Sequence, residues 1–165
     1  MKKNLVSAAL LVLTLSAPAL AGGAAAPMTG ASAQVVASTP AALMAALKEA
    51  GYRVTMDPAT PDSDPSMTVM AGDYEVSVWL SNCKAGSCGR VTASTSWDYS
   101  DSEEELDTAL VNDWNSNYYT QAYAYEGAYY LDSSMPIGGG YTRATLKAWM
   151  TDYLGDVKDF ELELP

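Results

Sequence analysis

Apolar and polar positions follow two rhythms along this chain, and the rhythms divide it into strands and helices. Tyr74, Val76, Val78 and Leu80 alternate with Glu75, Ser77 and Trp79, which predicts a strand with one core-facing row and one outward row. Val91, Ala93, Thr95 and Trp97 repeat the alternation after a loop from Ser81 to Gly89. A shorter strand, Met67 to Met70, meets Tyr74 through the turn Ala71-Gly72-Asp73. Tyr52 to Asp57 also alternates, and Pro58, Pro61 and Pro65 then punctuate a loop. These runs read as an antiparallel meander.

The second rhythm is helical. Leu43, Met44 and Leu47 form a stripe that starts behind Thr39 as cap and Pro40 in the first helical position, and stops at Gly51. Leu106, Leu110, Val111 and Trp114 share one face of a second helix. Ser102-Glu103-Glu104-Glu105 has capping-box spacing, so this helix is expected to start there and to stop near Asn115 to Asn117. A hairpin follows with Glu126-Gly127 as its turn. Thr142 opens a last helix carrying Leu146, Trp149, Met150 and Tyr153, closed by Gly155. The order predicts one α+β domain over residues 38–165, an antiparallel sheet with helices packed mainly on one face.

Ahead of that domain, Lys2 and Lys3 precede an apolar run from Leu5 to Leu15 and then Ala19-Leu20-Ala21, the small-x-small form that signal peptidase cuts. Residues 1–21 are expected to be a signal peptide cleaved after Ala21. The apolar run is too short to span a bilayer. Residues 22–37, built of Ala, Gly, Ser and Pro with little else, are expected to be a flexible leader. The mature chain is then placed in the periplasm or outside the cell, with no membrane insertion after cleavage.

Charge narrows the partners. The whole chain carries a net charge of −11, and the signal peptide takes two of its nine basic residues and none of its twenty acidic ones, so the mature chain stands at −13. Such a surface repels phosphate backbones and anionic membranes, and nucleic acid is excluded as a partner. Solubility is the plain account of the acidity; a recognition face for a basic partner is the sharper one.

Candidate chemistry is sparse. Cys83 and Cys88 flank a short loop between two strands, and in an oxidising compartment with no third cysteine they are expected to form a disulfide. Their spacing is not that of a redox pair. Ser81-Asn82-Cys83-Lys84 spells S-x-x-K, but the companion motifs of the enzymes that use it are absent. Asp57, Asp62 and Asp64 lack the glycine and distal glutamate of a calcium loop. With no histidine and two cysteines, neither a metal nor a cofactor is expected. Paired carboxylates leave a small hydrolase as an alternative.

The strongest signal is Leu110 to Asp132, which holds six of the eleven tyrosines: Tyr118, Tyr119, Tyr123, Tyr125, Tyr129 and Tyr130. Tyrosine joins a large apolar body to a hydroxyl, which suits a half-wet strand. Ordinary cross-strand packing explains part of this. The functional reading is a binding platform, with Tyr119, Tyr123 and Tyr125 on one face by alternation.

The same stretch resembles the YbjN domain family through Asn112, Trp114, Asn115, Ala122, Tyr123, Glu126, Gly127 and Asp132, with Gly51-Tyr52, the Cys83/Cys88 loop and the Trp149 helix in agreement. The family is described as regulators of sensory transduction. Its fold is similar to that of type III secretion chaperones, which are dimeric, non-enzymatic binders of extended polypeptide. The resemblance implies a non-enzymatic binding, chaperone-like or regulatory module, with a protein or peptide partner or a second copy of itself, and it supplies no catalytic residue. The alternatives are the carboxylate hydrolase and an envelope-stress protein without a dedicated ligand.

Overall fold

The computed structural model describes residues 34–58, 60, 63–102 and 105–165. The chain runs β1 (Val35–Val36), α1 (Pro40–Glu49), β2 (Arg53–Met56), β3 (Ser66–Ala71), β4 (Tyr74–Ser81), β5 (Arg90–Asp98), α2 (Thr108–Asn117), β6 (Gln121–Tyr125), β7 (Ala128–Pro136), β8 (Tyr141–Thr142) and α3 (Arg143–Glu163). The signal peptide and the leader up to residue 33 lie outside the described residues, as do Pro61, Asp62, Glu103 and Glu104.

Six strands form one antiparallel sheet in the order β2-β3-β4-β5-β7-β6. The meander from β2 to β5 is sequential. The β6–β7 hairpin then docks with its second strand against β5, so β6 becomes an edge. At the hairpin turn Glu126 and Gly127 take φ of 47° and 80°, the left-handed pair that matches the twist of the flanking strands. Gly127 also lies under Ser100, whose Cα would sit 3.0 Å from an added Cβ.

Alternation sorts the sheet into two faces, as the pattern predicted. Val76, Val78, Leu80, Val91, Ala93, Tyr129 and Leu131 are buried on one side, where α1 adds Leu43 and Leu47, α2 adds Trp114, and α3 adds Leu146, Met150, Tyr153, Val157 and Phe160. Glu75, Ser77 and Ser96 stand exposed on the other. The result is an α+β fold with its helices on one face of an antiparallel sheet.

Three boundaries differ from expectation. The second helix starts at Thr108, not Ser102: Asp107 caps it, its Oδ1 accepting from the N–H groups of Ala109 and Leu110, while its own N–H donates to the Tyr129 hydroxyl. A tertiary anchor thus fixes the start at Asp107 in place of the Ser102 capping box, and Leu106 packs half-buried ahead of the helix. Gly155 does not close α3. The stripe Met150, Tyr153, Val157, Phe160 continues through it, and burying two more side chains outweighs the roughly 1 kcal/mol that a helical glycine costs. Lastly, Val35 and Val36, expected within the leader, pair with Thr142 and Tyr141. Gly140 permits this approach, since a Cβ there would meet Val35 Cγ1 at 2.5 Å.

Candidate functional site

The corner between α2 and β6 is built from the residues that the sequence singled out. Trp114 is 4% exposed, and its Nε1 donates to Thr120 Oγ1 at 3.0 Å, which donates to Asp156 Oδ2 at 2.9 Å. Tyr118 stacks on the indole at 3.7 Å between ring centroids. The Asn115 amide takes both backbone groups of Ala122, donating to its carbonyl and accepting from its N–H. The Asn112 side chain does not share this work; it is exposed, and its carbonyl accepts from Ser116.

Beyond the corner, the sheet face opposite the helices carries Glu75, Ser77 and Trp79 on β4, Thr92, Ser94 and Ser96 on β5, Tyr130, Asp132 and Ser134 on β7, and Gln121, Tyr123 and Tyr125 on β6. No described element covers it. The three candidate tyrosines fare differently there. Tyr123 is half-buried, stacked on Tyr130 at 5.0 Å, with its hydroxyl directed to Asp132 Oδ2 at 3.4 Å. Tyr125 stands 58% exposed. Tyr119 precedes the strand and is fully exposed. Of the other hairpin tyrosines, Tyr129 is in the core.

Two hollows share Trp79. One, of about 400 Å³, lies over the Tyr123–Tyr130 pair and is lined also by Glu75, Ser77, Ser94 and Ser96. The other, of about 700 Å³, is a groove whose lining includes Tyr119, Asp132, Ser134, Trp149, Asp152 and Asp156. Trp149 comes from the helix side, where its Nε1 donates to Ser133 Oγ, so the groove runs over the end of the sheet where β6 has not yet begun. The sequence placed Trp79 in the outward row, but nothing in it joined Trp79 to Trp149.

Burial pushes the Asp132 carboxyl up, with the Ser94 and Tyr123 hydroxyls pulling it partly back. Asp132 Oδ1 is shut off from solvent and has no hydrogen-bond partner among the described residues. Burial also raises Asp156, against the Thr120 hydrogen bond, and the neighbouring Asp159 and Asp152 add to the rise. Desolvation and the adjacent Asp132 charge lift the Tyr123 hydroxyl to about 12, so it stays a neutral donor. Among the described residues no three acidic or cysteine side chains are grouped to hold a metal.

The remaining candidates lie away from both hollows. The Cys83 and Cys88 sulfurs lie 2.10 Å apart, at disulfide distance, and the Cys88 N–H donates to the Ser38 carbonyl, tying the loop to the start of α1. Lys84, the lysine of the S-x-x-K string, is exposed in that loop. Asp57 accepts from Ser66 and Thr68 at 2.6 and 3.2 Å and so closes the end of the β2–β3 hairpin.

Comparison with known proteins returns neither a curated protein nor a solved structure that matches. A family model does match over residues 39–164, most of the chain: YbjN, described as "putative bacterial sensory transduction regulator". With the corner, the hairpin and nearly all of the core inside that span, the chain belongs to the YbjN family.

Proposed function

We propose that this YbjN-family chain is an exported, non-enzymatic binding module, chaperone-like in that it holds an extended segment of another polypeptide on the open face of its sheet. The observation that carries this reading is the uncovered face itself. Three helices are spent on one side, while Trp79, Tyr123, Tyr125 and Tyr130 stand on the other, outside the core. Rigid aromatic rings bring contact area at low entropic cost, which is why a few of them often dominate an interface. The family's regulatory description fits a binder, and export rests on the N-terminal pattern of the sequence.

Suppression of light scattering from a reduced, unfolded protein tests the reading. Wild-type protein should suppress aggregation, and the double variant Tyr119→Ser, Tyr125→Ser should lose most of that capacity at an unchanged melting temperature, because both rings are exposed. Equal suppression by the two proteins would overturn the reading. Sedimentation of both proteins tells whether a second copy occupies the face instead.

One observation favours the hydrolase alternative: Asp132 and Asp156 line the same groove, and burial raises both carboxyls. Turnover of a chromogenic glycoside that disappears with Asp132→Asn and Asp156→Asn would replace the binding reading with the enzymatic one.

A further inference from the structure

Backbone directions along β7 define an unpaired edge beside the larger groove. Tyr99 N–H donates to the Gly127 carbonyl and Ile137 N–H to the Gly89 carbonyl, so the odd-numbered residues of this strand turn their backbone groups toward β5. The even-numbered ones turn toward β6. Asn115 enforces the same phase from the other side: by occupying both groups of Ala122 it leaves Gln121 and Tyr123 to face Asp132 and Tyr130. β6 begins at Gln121, opposite Asp132, and no described strand residue lies opposite Ser134. The Ser134 N–H and carbonyl therefore point out of the sheet edge. Pro136, the next even position, has no N–H and ends the edge.

The groove that meets this edge has a one-sided charge. Its charged lining residues are Asp132, Asp152 and Asp156, and it holds no lysine or arginine; Arg90, which donates to the Ser134 hydroxyl, is not among the lining residues. Trp79, Tyr119 and Trp149 supply aromatic faces. A guanidinium suits such a lining, because it pairs with carboxylates and stacks on indole and phenol rings. A second copy of this chain does not, since it would bring another net charge of −11 to the same place.

We infer that the groove and the Ser134 edge together take a basic, extended peptide, which adds as a short strand in line with β6 and lays an arginine side chain among Trp79, Tyr119, Trp149 and the three aspartates. The inference rests on the polypeptide-binding reading and names its partner: strand addition supplies affinity through main-chain bonds, and the acidic aromatic groove supplies selectivity.

Fluorescence anisotropy with a labelled peptide of alternating threonine and arginine tests it on the purified protein. The arginine peptide should bind, with affinity falling as salt rises. Replacing its arginines by citrulline, which keeps the shape and removes the charge, should weaken binding about tenfold or more, and so should N-methylation of alternate backbone amides. Asp152→Lys, at an exposed position of α3, should weaken binding at least as much while leaving the melting temperature in place. Equal binding of the citrulline or N-methylated peptide, or indifference to Asp152→Lys, would overturn the inference. If the arginine peptide is not bound although aggregation of the unfolded protein is suppressed, the groove assignment falls and the sheet-face reading stands; if both assays fail, both fall.

Discussion

Replacing Trp114 by alanine probes how the helix-to-hairpin corner is held, and the structure sets the size of the effect. The indole is 4% exposed, lies edge-on to Phe160 at 4.9 Å, is stacked by Tyr118, and donates to Thr120, itself 5% exposed. Truncating a buried tryptophan costs about 3–5 kcal/mol, a large part of the roughly 5–15 kcal/mol available to an ordinary domain. At roughly 3–5 °C per kcal/mol for a chain of this length, Trp114→Ala should melt about 10–20 °C lower or fail to fold. Trp114→Phe keeps one aromatic ring in the site but removes the pyrrole half of the indole with its Nε1–H, so it should lose about 1–3 kcal/mol, less than the alanine variant does. Far-UV circular dichroism during heating, repeated as urea titrations, measures both. A Trp114→Ala protein within about 2 °C of wild type would refute the anchoring role. A Trp114→Phe protein as damaged as the alanine variant would show that the chain of hydrogen bonds from Trp114 through Thr120 to Asp156, and not packing, holds the corner.

Native protein should weigh about 2 Da less than with two free thiols, and reduction should cost about 2 kcal/mol of stability, since the ring closed by Cys83 and Cys88 is short; free thiols by mass spectrometry would contradict this. Asn115→Ala strands both backbone groups of Ala122, so a loss of about 2 kcal/mol is expected, together with concentration-dependent association through the unblocked β6 edge, and an unchanged, monodisperse variant on light scattering would rule out this role. Asp132 binds its proton more tightly in the folded than in the unfolded chain, so stability falls as pH rises from the usual aspartate value of 3.8 through the raised one. Asp132→Asn should therefore gain in melting temperature relative to wild type as pH rises through that window, with the gain largest at neutral pH and shrinking below 3.8, whereas a difference that does not vary with pH would show that the burial cost is not felt.

Local rules decided most of the elements. Period-two alternation in Tyr74 to Leu80 and Val91 to Trp97 sorted inward from outward rows correctly, because a strand has only two faces and one of them must be buried. Thr39 with Pro40, Thr142, and Glu126-Gly127 each specify a cap or a turn through their own side chain or backbone, so they read the same in isolation and in the fold. Where several local signals compete, the sequence is silent. Ser102 has the spacing of a cap, but Asp107, held by the Tyr129 hydroxyl, caps the helix; Gly155 can end a helix, and the burial of Val157 and Phe160 carried α3 past it. The candidate site was legible only in its tyrosines. Tyr119, Tyr123 and Tyr125 share a parity, yet Tyr119 stands at the corner before the strand, and the groove it lines joins β4, β5, β7 and α3, elements up to some seventy residues apart. No periodicity spans such distances. Only the docking of the hairpin, with β7 against β5 and β6 beginning at Gln121, put Trp79, Asp132 and Trp149 around one hollow and left the backbone of Ser134 facing out of the sheet.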